Sequence, residues 1–144
     1  MTSSAILPGS RSSSSPFAVT GVPRILLRLE GLAAIGAAVW AYQLYGGGWG
    51  WFAALLLVPD FSMFAYLAGP RAGAIAYNAV HTYVGPCLLA ALAWATHASW
   101  FASLALIWIA HIGIDRALGY GLKYATAFSD THLGRIGRAP NSVT

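Results

Sequence analysis

The chain has 144 residues, of which 58% are hydrophobic and only 8% charged, and its net charge is +4. A soluble domain carries roughly 25% charged residues, so this composition excludes a water-soluble globule and points to an integral membrane protein of one small domain. The basic excess requires no nucleic acid, because orientation in a bilayer and attraction to anionic lipid account for it.

Residues 1–22 are Ser-rich with one charge, Arg11. They lack the long apolar region of a cleaved signal peptide and are expected to form a flexible tail. A first apolar segment runs from about Pro23 to Tyr45 and stops at the glycines 46–48. A second runs from about Trp49 to Leu67 and stops at Gly69-Pro70. The third covers Arg71 to Ala95, and the fourth covers Trp100 to Tyr120 with Gly119 and Gly121 as stop signals. Each is close to the ~20 residues that a spanning helix needs, and no apolar/polar alternation suggests a barrel. The expected fold is all-α, a four-helix transmembrane bundle over residues 23–124 with a tail over 125–144.

The basic residues orient this bundle. Arg11, Arg24 and Arg28 precede or open the first span, and Arg71 lies between the second and third. Arg116, Lys123, Arg135 and Arg138 close or follow the fourth. All eight fall on one side of a four-span arrangement. The positive-inside rule makes that side cytoplasmic, with both termini inside, and places the chain as a multi-pass protein of the inner (plasma) membrane. Trp40, Tyr42, Tyr45, Trp49, Trp51, Trp94 and Trp100 then form an outer aromatic belt. The small residues of the first span suit close helix packing, and Ala33 and Ala37 suit a homo-oligomer equally. The lone Cys87 forms no internal disulfide. In the tail at 128–138, Asp130, Thr131 and His132 could fold back over the mouth of the polar layer, but a solvated, lipid-hugging basic tail is the preferred reading.

Polar groups inside the spans share one depth. At ~1.5 Å per residue, Glu30, Asp60, His81, His111 and Asp115 lie roughly 8–15 Å from the cytoplasmic ends of their helices. Asn78 sits one turn from His81, and Tyr77 precedes His81 by four residues, as His111 precedes Asp115. Buried charges in a bilayer cost at least ~2.5 kcal/mol each and so turn inward and pair. Pro59 removes a backbone N–H, leaving the Leu55 carbonyl without its helical partner beside Asp60. Pro86 does the same to the carbonyl of Thr82.

Asp60 and Asp115 together require compensation. A divalent cation (Zn²⁺, Fe²⁺ or Mn²⁺) held by Asp60, His81, His111 and Asp115 supplies it. Protonation of one carboxylate, or salt bridges from Asp115 to Arg71 or Arg116, are the alternatives. Tyr77 and Asn78 are candidate binding groups, with interhelical hydrogen bonding as their plainer role. No phosphate-binding, thiol or hydrolase motif is present, although Ser62 lies near Asp60.

RLEGLAA at 28–34, PDFSMFAYLAGPRAGAIAYNAVHTY at 59–83, and HIGIDRALGYGLKY with DTHLGR within 111–135 resemble domain-of-unknown-function family 4260. That resemblance covers roughly residues 24–137 and implies a small bacterial membrane protein with four helices. A looser similarity, carried by Pro59-Asp60, His81, His111 and Asp115, is to membrane-bound metal-dependent hydrolases. Three functions follow. One is a membrane enzyme acting on a lipid-like or apolar substrate, with Asp60, His81, His111 and Asp115 holding the metal and Glu30 transferring protons. The second is a proton- or ion-coupled transporter. The third is a scaffold whose polar layer fixes helix register.

Overall fold

The structure, a computed structural model, describes residues 18–45 and 47–137. Helix α1 spans Gly21–Tyr45, so Gly21 and Val22 belong to it rather than to the tail, and residues 1–17 lie outside the described residues. Helix α2, Trp49–Leu56, continues into a 3₁₀ segment, Val58–Ala68. Helices α3, Pro70–Val80, and α4, Val84–Thr96, follow, and α5 covers Ser99–Leu118. A short antiparallel hairpin, β1 at Asp130–Thr131 and β2 at Gly134–Arg135, ends the described chain. Apart from that hairpin, the regular structure among the described residues is helical. Among the described residues four helical stretches are long and apolar enough to cross a membrane: Gly21–Tyr45, Trp49–Ala68, Pro70–Thr96 and Ser99–Leu118.

Two of these stretches are interrupted, and proline explains both. Pro59 cannot donate to the Leu55 carbonyl, and the Leu57 N–H turns to that carbonyl instead. Beyond this point the chain winds with three residues per turn. Asp60, Met63 and Tyr66 therefore fall in one line on the inner face of the segment. The third stretch is not one straight helix. It breaks at His81–Tyr83, and Pro86 occupies the first turn of α4, where no N–H is needed. The freed carbonyls are answered from α5: Trp108 Nε1 donates to Val80 O at 2.6 Å, and Arg116 Nη2 donates to His81 O at 3.2 Å.

Helix α1 packs chiefly on α5 through two glycines. A Cβ on Gly31 would lie 2.7 Å from Arg116 Cβ and 2.8 Å from Gly113 O. A Cβ on Gly113 would meet Gly31 O at 2.8 Å. The backbones touch here, at the level of His111 and Asp115, and this contact sets how α5 is presented to the other helices. On the outside, Leu67, Leu88, Phe61 and Phe64 are exposed, as suits an apolar solvent.

Two sequence expectations are corrected. Tyr42 is buried rather than part of an aromatic belt: its ring packs against Trp49 and Phe52, and its hydroxyl donates to Gly48 O. The other belt residues are exposed. The segment after α5 is also not a solvated tail. Residues 119–136 fold back on the bundle, with Thr131 and Leu133 fully buried. Lys123 pairs with Thr131 in a bridge, and Asn78 exchanges hydrogen bonds of 2.8 and 2.7 Å with the backbone of Lys123. A strand-like backbone in this segment needs partners, and the end of α3 provides them.

Gly31→Ala should destabilise the protein by about 1–3 kcal/mol, because backbone cannot move aside as a side chain can. Gly36→Ala is the control, since nothing lies within 4 Å of its added Cβ. Thermal scans in one detergent should separate the two variants clearly.

Candidate metal centre

Each interruption delivers a ligand. The 3₁₀ turn places Asp60 in its first turn. The end of α3 places His81 at its C-cap, with φ −103° and ψ 20°. Helix α5 contributes His111 and Asp115 one turn apart, on the same face. One ligand atom from each of the four residues lies within 4.8 Å of every other. His81 Nε2 is 3.0 Å from His111 Nε2, 3.6 Å from Asp60 Oδ1 and 3.6 Å from Asp115 Oδ2. His111 Nε2 is 3.6 Å from Asp60 Oδ1 and 4.0 Å from Asp115 Oδ2. A tetrahedral ion with bonds of ~2.0–2.1 Å holds its ligand atoms about 3.3 Å apart. The observed separations bracket that value.

The chemistry of the donors agrees. His81 Nδ1 is 2.8 Å from the Tyr77 carbonyl, which can only accept, so Nδ1 carries the proton and the Nε2 lone pair faces the cluster. Tyr77 holds a second ligand through its hydroxyl, which donates to Asp115 Oδ2 at 2.8 Å. Its ring stacks on His81 at 3.6 Å and 9°. One residue thus orients a histidine and a carboxylate, as the supporting shell of a metal site does. Two carboxylates and two neutral imidazoles around one point match a divalent cation in charge and in donor type.

The cluster borders a cavity of about 300 Å³ lined by Asp60, Met63, Tyr77, Asp115, Lys123 and Phe128, among others. The Asp60 side chain is 33% exposed and that of Asp115 15%, whereas both histidines are buried, so the carboxylates form the accessible wall. Lys123 closes the far side, donating from Nζ to Phe128 O at 2.9 Å.

The remaining candidates fall elsewhere. Glu30 is exposed on α1, outside the cluster. Asn78 faces residues 119–136 rather than the ligands. Asp115 takes no salt bridge from Arg71 or Arg116 among the described residues; Arg116 lies instead against His81 O and the His132 ring. Ser62 Oγ is buried without a hydrogen-bond partner and lines a separate apolar cavity with Pro59 and Trp108. It sits two residues from Asp60 in a helix of period three, which turns it away from the histidines.

Sequence reasoning passed over Trp108. A tryptophan in mid-span, away from the interfaces it prefers, must still satisfy its N–H, and that was the available signal for its role at the α3 break. Lys123 carried no such signal, because its position depends on the chain folding back; the sequence admits that folding for Asp130, Thr131 and His132, with a solvated tail preferred.

Two predictions follow from the geometry. Tyr77→Phe keeps the ring stacked on His81 but removes the bond to Asp115, and zinc affinity should fall 10–100-fold in a competitive chelator titration. The second concerns His132, whose Nδ1 accepts from the Leu122 N–H at 2.8 Å. Burial, and then the neighbouring Arg116 charge, lower its pKa from the ordinary 6.5. The unfolded segment therefore takes up the proton more readily than the folded one, and stability of residues 119–136 falls as pH drops below 6.5. Amide exchange of Leu122, corrected for its intrinsic rate, should accelerate on that acidification.

No curated protein matches the chain significantly. No solved structure does so either. The family model described as Domain of unknown function (DUF4260) matches residues 24–136, which include the four clustered residues, α2 to α5, all of α1 but its first three residues, and the folded-back segment. By that match the chain belongs to this family.

Proposed function

We propose that the chain is a multi-pass membrane enzyme that holds one zinc, iron or manganese ion through Asp60, His81, His111 and Asp115 and acts on a lipid-like or apolar substrate. The observation that carries this reading is the convergence of one donor atom from each of the four residues to within 4.8 Å of every other, beside a cavity. When bound, such an ion polarises a carbonyl or phosphoryl oxygen and brings the pKa of a water near ~7. The chain's own contribution is positional. His81 and His111, buried and braced, fix the centre. Asp60, the most exposed ligand, is the one able to swing and admit a substrate atom. Glu30 has no role in this reading, since it does not line the cavity. The excess of Lys and Arg at the end bearing Arg24, Arg28 and Arg116 supports a cytoplasmic orientation for that end, with the site in the inner half of the bilayer.

The completeness of the four-ligand set favours a second reading, in which the ion is cargo rather than cofactor. Zinc flux into proteoliposomes that stops in Asp60→Asn would identify a transporter.

Elemental analysis of protein purified in a neutral detergent tests the site itself. One ion per chain is expected in the wild type, and His111→Ala should lower the occupancy at least tenfold. Absence of a stoichiometric metal in well-folded wild type would sink both readings.

A further inference from the structure

Lys123 is a buried cation beside the candidate centre, and the metal reading alone leaves it unexplained. It is 5% exposed. Its Nζ lies 3.4 Å from the centroid of the Phe128 ring and 4.8 Å from that of Tyr77, with Tyr66 at 5.9 Å. One of its three N–H bonds is taken by Phe128 O. Among the described residues no carboxylate lies within the 4.0 Å of an ion pair with it. Buried charges are ordinarily paired. Aromatic faces ease the cost of a buried ammonium but do not neutralise it.

The charge of the cavity depends on the ion. Without it, Asp60 and Asp115 give the cavity an excess of negative charge over the single Lys123 ammonium. With a divalent ion bound, the carboxylates and the metal cancel, and the Lys123 charge is left over. The loaded cavity is therefore a site for an anion, and the empty one repels anions. The rest of its lining is Met63, Phe128 and Ile136, which are apolar, together with Tyr77 and Tyr120. Met63 belongs to a span whose neighbouring Phe64 and Leu67 are exposed on the outer face.

We propose that the cavity binds the carboxylate or phosphate head group of a lipid-like amphiphile, with Lys123 anchoring the anion opposite the metal and the apolar wall taking the start of the chain. This rests on the metal reading and names its substrate class. Anion and metal should then bind cooperatively, each strengthening the other by the same factor. Lys123 keeps its charge in this role, although burial lowers its pKa.

The test uses the full chain in a maltoside detergent, loaded with Co²⁺ as a visible reporter of the centre. Decyl phosphate should shift the Co²⁺ absorption and tighten Co²⁺ binding by on the order of tenfold. Inorganic phosphate should need far higher concentrations, and decanol should have no effect. Lys123→Met should keep the Co²⁺ spectrum but lose the response to decyl phosphate, and Lys123→Arg should retain most of it. Equal responses to decyl phosphate and decanol in the wild type would overturn the proposal, whether or not Lys123→Met folds. An unchanged response in folded Lys123→Met would do the same. Inorganic phosphate acting as strongly as decyl phosphate would remove the amphiphile from it. A chain that gives no Co²⁺ band fails at the metal reading, and this proposal falls with it.

Discussion

Two histidine nitrogens and two carboxylates converge on one point inside the bundle, and the rest of the structure is arranged around that convergence. His81 Nε2 and His111 Nε2 stand 3.0 Å apart, with carboxylate oxygens 3.6–4.0 Å from them. The Tyr77 carbonyl fixes the proton of His81 on Nδ1, so at least one of these nitrogens presents a lone pair. Something positive must occupy or border the space between them. A proton shared by the histidines meets part of the requirement. A divalent cation meets all of it, because it faces both nitrogens and both carboxylates at once and cancels their charge.

That requirement explains why two spanning stretches are broken. A straight helix directs its side chains evenly around its axis and rarely brings residues from three neighbours to one point. The 3₁₀ turn after Pro59 rotates Asp60 inward, and the break at His81–Tyr83 frees His81 to swing its ring across the end of α3. Each break leaves backbone groups that need new partners. The Leu57 N–H meets the carbonyl freed by Pro59, and α5 answers the break at His81–Tyr83 with Trp108 and Arg116, from the same turns that carry His111 and Asp115. The ligand helix is thus also the helix that makes the broken backbone tolerable, and the glycine contact with α1 holds it in place.

Much of this could be read from the residues, for reasons that also mark where the reading stopped. The spans are set by apolar length, and glycine and proline end them, so their number and extents were legible within a few residues. The clustering of Asp60, His81, His111 and Asp115 was legible because an ionisable residue in an apolar run is costly, and a shared depth in several runs implies a shared site. Glu30 satisfied the same depth criterion yet points outward, since depth says nothing about the direction around a helix axis. Tyr42 looked like an interface residue for the matching reason: position along the axis was visible, and facing was not. The break at His81 was hidden because Pro86 signals only that some carbonyl nearby is left free. The folding back of residues 119–136 could be named but not preferred over a solvated tail, because its pairing with Asn78 spans 45 residues and leaves no local period.

The folded-back segment changes what kind of site this is. Four ligands within a bundle and open to one side would be a cation trap of limited selectivity toward anything else. Residues 119–136 close that side with Lys123 and the Phe128 ring and leave a cavity between this cap and the carboxylates. The cap is tied to the ligand-bearing elements twice, by Asn78, three residues before His81, and by Arg116, one residue after Asp115. A movement of α3 or α5 that adjusts the ligands therefore moves the wall of the cavity as well. On the proposed metal reading, filling of the four-residue cluster and filling of the cavity would be coupled through these short links and through charge.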